Sequence, residues 1–152
     1  MIGAAEENDE PLSVALFDVD RFKSINDHYG HLAGDAVLVG LAELLGEQAP
    51  AGALVARWGG EEFLVALPGA DPAVGLAFAE DLRSRCERNE IAVEGLMIRC
   101  TLSGGVAAYP GSGATMNDLF HAADASMYEA KNAGRNLVRL HEPHTTIASR
   151  PL

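Results

Sequence analysis

The sequence predicts a single α+β domain in which two helices pack on one face of a mostly antiparallel sheet, a ferredoxin-like arrangement. Two observations lead to this prediction. The 152 residues, 48% of them apolar, are enough for one hydrophobic core and show no internal repeat or linker. Their local patterns follow the order β-α-α-β-β-α-β-α-β.

The first half of the chain supplies a buried strand followed by two helices. Residues 12–18 are apolar almost throughout, which is typical of a strand covered on both faces. Residues 21–28 have helical character. A second helix is predicted to open at Gly34 and Asp35, because an apolar stripe with helical spacing follows, and to end at residues 50–52.

Two glycines join the next pair of predicted strands, residues 54–58 and 62–67. Gly59-Gly60 between apolar runs favours a two-residue hairpin turn with positive φ. Two interpretations of the pair stay open. The glycines form only a tight turn, or their missing side chains let a nucleotide lie against the backbone.

The remaining elements follow from periodicity and from punctuating Pro and Gly residues. A helix is predicted from residue 71 or 72 to about 89, and a strand over 94–108 that Gly95 can interrupt with a turn. A further helix begins with a capping box at 115–118 and ends at Gly134, and a strand follows over 136–140. Residues 1–11 are expected to be a flexible lead-in, and residues 141–152 a disordered tail.

Composition excludes several classes of function. A net charge of -11 argues against a nucleic-acid polymer as partner. No apolar run reaches the ~18 residues of a membrane span, so no membrane contact is expected from this segment. Cys86 and Cys100 lack metal-ligand spacing and are interpreted as buried apolar residues in a reducing, cytoplasmic compartment.

Three acids stand where chemistry is expected. Asp18 ends the first strand, and Glu61 and Glu62 follow the glycine turn. If the strands are neighbours, Asp18 and Glu61 meet at one edge of the sheet. Magnesium typically takes one or two carboxylates plus substrate phosphates, and two metals ~4 Å apart can clamp the oxygens of a phosphoryl transfer. The alternative is that these acids are merely solvated.

Cationic and amide side chains lie near these acids in the sequence. Lys131 and Arg135 are four apart, which predicts one helix face, and Lys23 follows the first acids. They form either a triphosphate clamp or, for the helical pair, the usual excess of cations at a helix C-terminus. Asn26 and Asp35 match the donors and acceptors of guanine, although helix capping is the alternative for Asp35.

Several segments, taken in order, resemble the GGDEF domain of diguanylate cyclases. They are FDVDRFKSIND (17–27), GHLAGD (30–35), RWGGEEF (57–63), SGGV (103–106), and the AD, MY, AK and GRN groups within 123–136. The resemblance covers residues 12–140. Each motif is weak by itself, and their joint order and spacing are specific.

The resemblance implies a palm-like sheet, similar to that of class III nucleotidyl cyclases, and a role for each matched position. By this resemblance, two Mg²⁺ or Mn²⁺ ions are held by Asp18, Glu61 and the main-chain carbonyl of Val19. Guanine is held by Asn26 and Asp35, and phosphates are contacted by Lys23, Lys131 and Arg135. Glu62 is the acid in the fourth place of the signature. Asp18, Glu61 and Glu62 are the implied catalytic residues.

The implied reaction is attack by the 3′-hydroxyl of one GTP on the α-phosphorus of another, which yields cyclic di-GMP and pyrophosphate. Glu61 is the candidate to assist proton removal. One domain binds one GTP, so activity is expected only from a homodimer with facing active sites. The alternatives are a non-catalytic GGDEF-like module that binds GTP or cyclic di-GMP and regulates a partner, and a cyclase with a mixed purine product.

Two departures from the family pattern carry expectations. Many such cyclases have an inhibitory Arg-x-x-Asp before the signature, and the corresponding places here are Pro50 and Ala53. Product inhibition is therefore expected to use the active site itself. The family's usual opening segment and helix are also missing before the first strand, so the chain is expected to be a domain cut from a longer sensor protein.

Overall fold

The computed structural model describes residues 1–143. The helices are α1 (Ile2–Asn8), α2 (Phe22–Tyr29), α3 (His31–Gln48), α4 (Pro72–Arg88) and α5 (Met116–Asn132). The strands are β1 (Leu12–Val19), β2 (Leu54–Arg57), β3 (Glu62–Pro68), β4 (Ile91–Val93), β5 (Leu96–Ile98), β6 (Leu102–Tyr109) and β7 (Leu137–Leu140). None of the described helices combines the length and the hydropathy that a membrane-spanning segment needs.

Five strands form the main sheet in the order β2-β3-β1-β6-β7, and β4 and β5 form a separate hairpin. Every pairing in the main sheet is antiparallel except the parallel pair β6–β7. Strand β1 lies at the centre, with β3 on one side and β6 on the other. The predicted α+β class with a mostly antiparallel sheet is confirmed.

The expectation that two helices cover one face of the sheet is wrong, because helices cover both faces. Phe17 and Val19 of β1 pack in a core with residues of α2, α3 and α4. Val14 and Leu16, which point the other way, pack in a second core with α1 and α5. All eight residues of β1 are buried, and a strand apolar on both faces requires a layer on each side.

The N-terminal residues, expected to be a flexible lead-in, instead form helix α1. Its Ala5 is 6% exposed and belongs to the core with Leu12, against which Ile2 also packs. A seven-residue helix with one buried position has too short an apolar period to be detected in the sequence. The predicted tail lies outside the described residues except for 141–143, where the His141 N–H donates to Val106 O at 2.7 Å.

The predicted strand over residues 94–108 is divided by a turn and a break. Glu94 and Gly95 have φ of 48° and 83° and link β4 to β5 as a two-residue turn, so the turn suspected at Gly95 exists. Residues 99–101 then separate this hairpin from β6. Positive φ at both turn residues is the geometry of the tight hairpin that the sequence predicts for Gly59-Gly60 instead.

Helix α5 lies unusually close to β6, and this contact sets the geometry of the functional cleft. A Cβ on Gly105 would stand 1.9 Å from Ala123 O and 2.4 Å from Met127 N, both backbone atoms. Only glycine permits this approach. The C-terminal part of α5, which carries Lys131, is thereby held over the end of β1.

Candidate functional site

A cleft of about 200 Å³ opens where β1 ends. Its lining collects the positions predicted for metal and phosphate binding, from three separate parts of the chain. The lining residues are Asp18, Val19, Asp20, Arg21, Phe22, Lys23, Glu61, Lys131 and Arg135. The expected convergence of Asp18 and Glu61 is therefore observed.

Backbone pairing brings the two carboxylates together. Asp18 lies opposite Glu62 in the β1–β3 register, and the Val19 N–H donates to Glu61 O at 3.2 Å. The turn before β3 is thus fastened to the end of β1. Asp18 is 5% exposed, and its Oδ2 accepts a hydrogen bond from Lys131 Nζ at 2.5 Å.

The glutamates of this cleft are held in an acid-rich environment. Partial burial raises the pKa of Glu61, and the charge of Asp18 and a hydrogen bond with it raise that pKa further. Burial and then Asp18 also raise the pKa of Glu62. Lys131 lowers both pKa values but does not cancel these effects. The cluster would gain from an added cation.

The donor set fits a hard divalent ion. Asp18 and Glu61 carry carboxylate oxygens, Val19 has its main-chain carbonyl, and all three residues line the same cleft. Oxygen donors are those that Mg²⁺ and Mn²⁺ prefer. Within residues 1–143, no three His, Cys, Asp or Glu side chains are grouped as a ready metal cage. An ion here would complete its coordination with water and ligand oxygens, as Mg²⁺ commonly does.

The turn between β2 and β3 differs from the predicted two-residue hairpin. Arg57 pairs with Phe63, and the Trp58 N–H donates to Glu62 O at 2.8 Å, so three residues, 59–61, form the loop. Neither glycine has a positive φ. The Arg57 guanidinium closes the turn by donating to Gly60 O from Nε at 3.1 Å and from Nη2 at 2.6 Å.

The chain itself places little steric demand on these two glycines. A Cβ on Gly60 would meet no atom within 4 Å. A Cβ on Gly59 would meet only the Glu62 side chain, at 4.0 Å. Tight turning therefore does not explain the pair, and the interpretation that the bare backbone is open to a ligand is favoured.

The predicted guanine positions lie outside this cleft lining, on the paired helices α2 and α3. Asn26 Oδ1 is buried and has no hydrogen-bond partner among the described residues. It lies against Gly34, where a Cβ would approach to 1.8 Å, and Asp35 follows in the chain. Helix α3 begins at His31 after Gly30, so the predicted start at Gly34 and the capping alternative for Asp35 are wrong. Asp35 is exposed within the helix.

Arg135 reaches the cleft by a route that differs from the prediction. Helix α5 ends at Asn132, so Lys131 and Arg135 do not share a helix face. Gly134 has φ 123° and Arg135 has φ 65°, and this reversal turns the chain back. Both cations line the cleft even though the predicted i,i+4 relationship is absent.

Asp20, to which the sequence pattern assigns no role, is the centre of a hydrogen-bond network. Asp20 is 6% exposed. Its carboxylate accepts from Thr101 Oγ1 at 2.7 Å, Ser103 Oγ at 2.6 Å and the Asn136 N–H at 2.9 Å. The signal in the sequence was its spacing of two from Asp18, which puts both acids on one face of an extended chain.

The positions that correspond to the inhibitory pair lie in the loop between α3 and β2. The Ala53 N–H donates to Pro50 O at 3.1 Å. Neither side chain carries a charge or a polar group that could bind phosphate or guanine. The absence of a separate inhibitory site remains a prediction.

Comparison with known proteins identifies the family. The family model described as "Diguanylate cyclase, GGDEF domain" matches residues 2–137. Diguanylate cyclase DgcM of Escherichia coli K12 is 45% identical over 126 residues, covering 83% of this chain and 30% of that protein. The chain spans between 20% and 41% of the length of such curated relatives.

Solved structures agree with this match. The GGDEF domain of PA1120 (TpbB or YfiN) from Pseudomonas aeruginosa superimposes with a TM-score of 0.89 at 40% identity, over 93% of this chain and 83% of that one. The GGDEF domain of DgcB from Caulobacter crescentus, solved in complex with c-di-GMP, gives 0.84 at 31% identity, over 91% and 82%.

Proposed function

This chain belongs to the GGDEF domain family, and we propose that it joins two GTP molecules into cyclic di-GMP with release of pyrophosphate. One observation carries the proposal: Asp18 and Glu61 share a single cleft with Lys23, Lys131 and Arg135. Opposed acidic and basic groups in a small cleft suit a metal-bound triphosphate. The relatives named diguanylate cyclases support the same reaction.

We propose that Asp18, Glu61 and the Val19 carbonyl hold two divalent ions, Mg²⁺ or Mn²⁺. When bound, such ions acidify the attacking hydroxyl and neutralise charge that develops at the α-phosphorus. The remaining roles, phosphate binding and proton acceptance, belong to side chains of the protein. Lys23, Lys131 and Arg135 bind phosphate oxygens, and Glu61 is the candidate to accept the proton of the 3′-hydroxyl.

Guanine selection is proposed for the α2–α3 pair. Asn26 is half-buried, and its side-chain amide is of the type that can hydrogen-bond the N3 or amino edge of guanine. Asp35, exposed one residue beyond Gly34, can accept from the N1–H and the amino group. The open backbone at Gly59 and Gly60 would let the nucleotide extend from these helices to the metal cleft.

We propose that the active species is a homodimer. One cleft contains one set of triphosphate-binding groups. To close the ring, two GTP molecules must each act once as nucleophile and once as electrophile. Two domains with facing clefts satisfy this requirement by symmetry. The c-di-GMP bound to the DgcB domain is consistent with cyclic di-GMP as the product ligand here.

Turnover by a forced dimer tests the proposal. The chain fused to a coiled-coil dimer should form cyclic di-GMP from GTP with Mg²⁺, and the unfused monomer should form much less. Glu61→Gln should abolish product, whereas Glu43→Gln, an exposed acid of α3, should not. A demonstrably dimeric sample that binds GTP with Mg²⁺ or Mn²⁺ and forms no product would instead favour the regulatory binding module.

A further inference from the structure

Asp20 joins three elements at the back of the cleft. Its two carboxylate oxygens accept from Thr101, just before β6, from Ser103 of β6, and from the Asn136 N–H, in the segment between α5 and β7. The Asp20 N–H also donates to Thr101 O at 2.9 Å. Both oxygens are therefore engaged by donors of the protein, whereas Asp18 accepts from the Lys131 side chain through Oδ2 alone.

The segment that Asp20 holds has an unfavourable backbone. Arg135 and Asn136 have φ of 65° and 49°, two consecutive non-glycine residues in the left-handed region. Such residues persist only where the surrounding structure fixes them, and they concentrate at functional sites. The bond to Asp20 fixes the main chain of the second residue of the pair.

The Asn136 side chain is fixed as well, from the side of α4. Arg83 Nη1 donates to Asn136 Oδ1 at 2.8 Å, and Asn136 Nδ2 donates to Glu87 Oε2 at 2.7 Å. Arg83 is itself held by Glu80 at 2.7 Å and by Glu87 at 3.2 Å. Asn136 thus has partners on its main chain and on both ends of its amide.

Arg135, immediately before this clamped residue, lines the cleft. Arg135 is exposed, and its side chain makes no ion pair within residues 1–143. Its position is consequently set by the backbone turn rather than by contacts of its guanidinium. Whatever fixes the turn fixes the phosphate-binding cation.

We propose that Asp20 and Asn136 are positioning residues that hold Arg135 in the cleft for the triphosphate, with Arg83 of α4 as their brace. This inference rests on the proposed function, because it assigns Arg135 a phosphate ligand. It assigns Asp20 no metal: its role is to receive hydrogen bonds from the chain. The network also couples the cleft to α4, on the face of the sheet opposite α5.

A nucleotide that cannot turn over provides the binding test. 3′-Deoxy-GTP lacks the attacking hydroxyl, and guanosine lacks the phosphates, so their affinities separate the two ends of the site. In Mg²⁺, Asp20→Asn should weaken 3′-deoxy-GTP about tenfold, the size of one lost charge-assisted contact, and leave guanosine within about twofold. Arg135→Ala should do the same, and the double variant should be no weaker than Arg135→Ala alone. Asp81→Asn, a half-exposed acid of α4, is the matched control.

A second pair of variants keeps the test independent of how well Asp20→Asn folds. Asn136→Ala and Asn136→Gly both lose the side-chain amide, but only glycine adopts positive φ freely. Asn136→Gly should therefore bind 3′-deoxy-GTP more tightly than Asn136→Ala. Equal affinities for these two variants would overturn the inference, as would additive losses in the Asp20 and Arg135 double variant.

Amide hydrogen exchange distinguishes failure of this inference from failure of the proposed function. The Asn136 amide should be protected in the wild-type chain and exchange at least tenfold faster in Asp20→Asn, with no nucleotide present. Unchanged exchange would overturn the positioning role even if GTP binds. Wild-type protein that protects this amide but binds no 3′-deoxy-GTP would overturn the proposed function, and the role of Arg135 with it.

Discussion

Lys131 Nζ lies 2.5 Å from Asp18 Oδ2, although the two residues are 113 positions apart in the chain. This ion pair joins α5 to the central strand β1 at the point where the acids cluster. The positive charge of Lys131 also lowers the pKa values of Glu61 and Glu62. The same cation thus stabilises the fold and tunes the cleft.

Removal of this cation should make stability depend on metal. Lys131→Met leaves the nearly buried Asp18 without its partner, and we expect a loss of about 1–2 kcal/mol, reduced from the usual cost of a broken buried pair because Lys131 is partly exposed. Added Mg²⁺ should recover much of this loss. Urea unfolding with and without MgCl₂ measures it. Lys23→Met, at the same cleft, is the control, and an equal loss in both variants would contradict the prediction.

The raised pKa values of Glu61 and Glu62 predict a specific pH dependence. The folded state binds these protons more tightly than the unfolded state, whose pKa is near 4.5, so their ionisation destabilises the fold as pH rises from 4.5 through the raised values. Metal-free Glu61→Gln should therefore gain melting temperature over wild type at pH 7.5, and less at pH 4. Glu43→Gln should show no such difference. A gain that was equal at both pH values would refute the electrostatic explanation.

Gly105 and Gly60 are expected to differ in role, the first structural and the second ligand-facing. Gly105→Ala should cost about 3 kcal/mol, because the added Cβ meets backbone atoms of α5 that cannot move aside. Gly60→Ala has open space around it and should leave the free energy of unfolding unchanged, while it weakens GTP binding. Chemical denaturation and GTP titration on both variants test this. Undiminished GTP affinity in Gly60→Ala would show that nothing approaches the turn.

Asp35 should determine the choice of base. Asp35→Ala is expected to raise the KM for GTP about 10- to 100-fold, because guanine loses a charged acceptor. ITP, which lacks the 2-amino group, should be affected less. Steady-state kinetics of the forced dimer with both nucleotides measures the difference, and Glu43→Ala on the same helix is the control. Equal use of ATP by the wild-type domain would contradict the guanine assignment altogether.

Inhibition by cyclic di-GMP should be competitive with GTP. Pro50 and Ala53 offer no polar side chain at the places of the inhibitory pair, so we expect product to bind through the proposed guanine positions and the phosphate positions of the cleft. Asp35→Ala should weaken this inhibition in parallel with the KM. Initial rates over a matrix of GTP and cyclic di-GMP concentrations distinguish the cases. Non-competitive inhibition that survived the substitution would reveal a separate inhibitory site.

Much of the fold was predictable because its signals are local. The all-apolar run of β1 and the capping box at Thr115 and Asp118 mark elements that the structure confirms. Helix α1 was not predicted because a single buried alanine gives no repeating apolar pattern. The placement of helices on both faces was also missed, although the two-sided burial predicted for β1 already required it.

The site was predictable only where strand order decides it. Asp18 and Glu61 meet because β1 and β3 are neighbours in register, which is the condition on which their convergence was expected. Arg135 was assigned to the right cleft for a wrong geometric reason, since it lies beyond the end of α5. Asp20 was missed because its partners, at residues 101, 103 and 136, are brought together only by the tertiary fold.

The two acids of the cleft, Asp18 and Glu61, are held by backbone segments of unequal stability. Asp18 belongs to a strand with hydrogen-bonded neighbours on both sides, whereas Glu61 sits in a turn that leads from β2, a four-residue strand at the edge of the sheet. Local opening in proteins begins where few hydrogen bonds must break. Fraying of β2 would release the Trp58 side of the turn and leave Glu61 held by β3 and by the bond from the Val19 N–H, so Asp18 is the more firmly placed of the two acids.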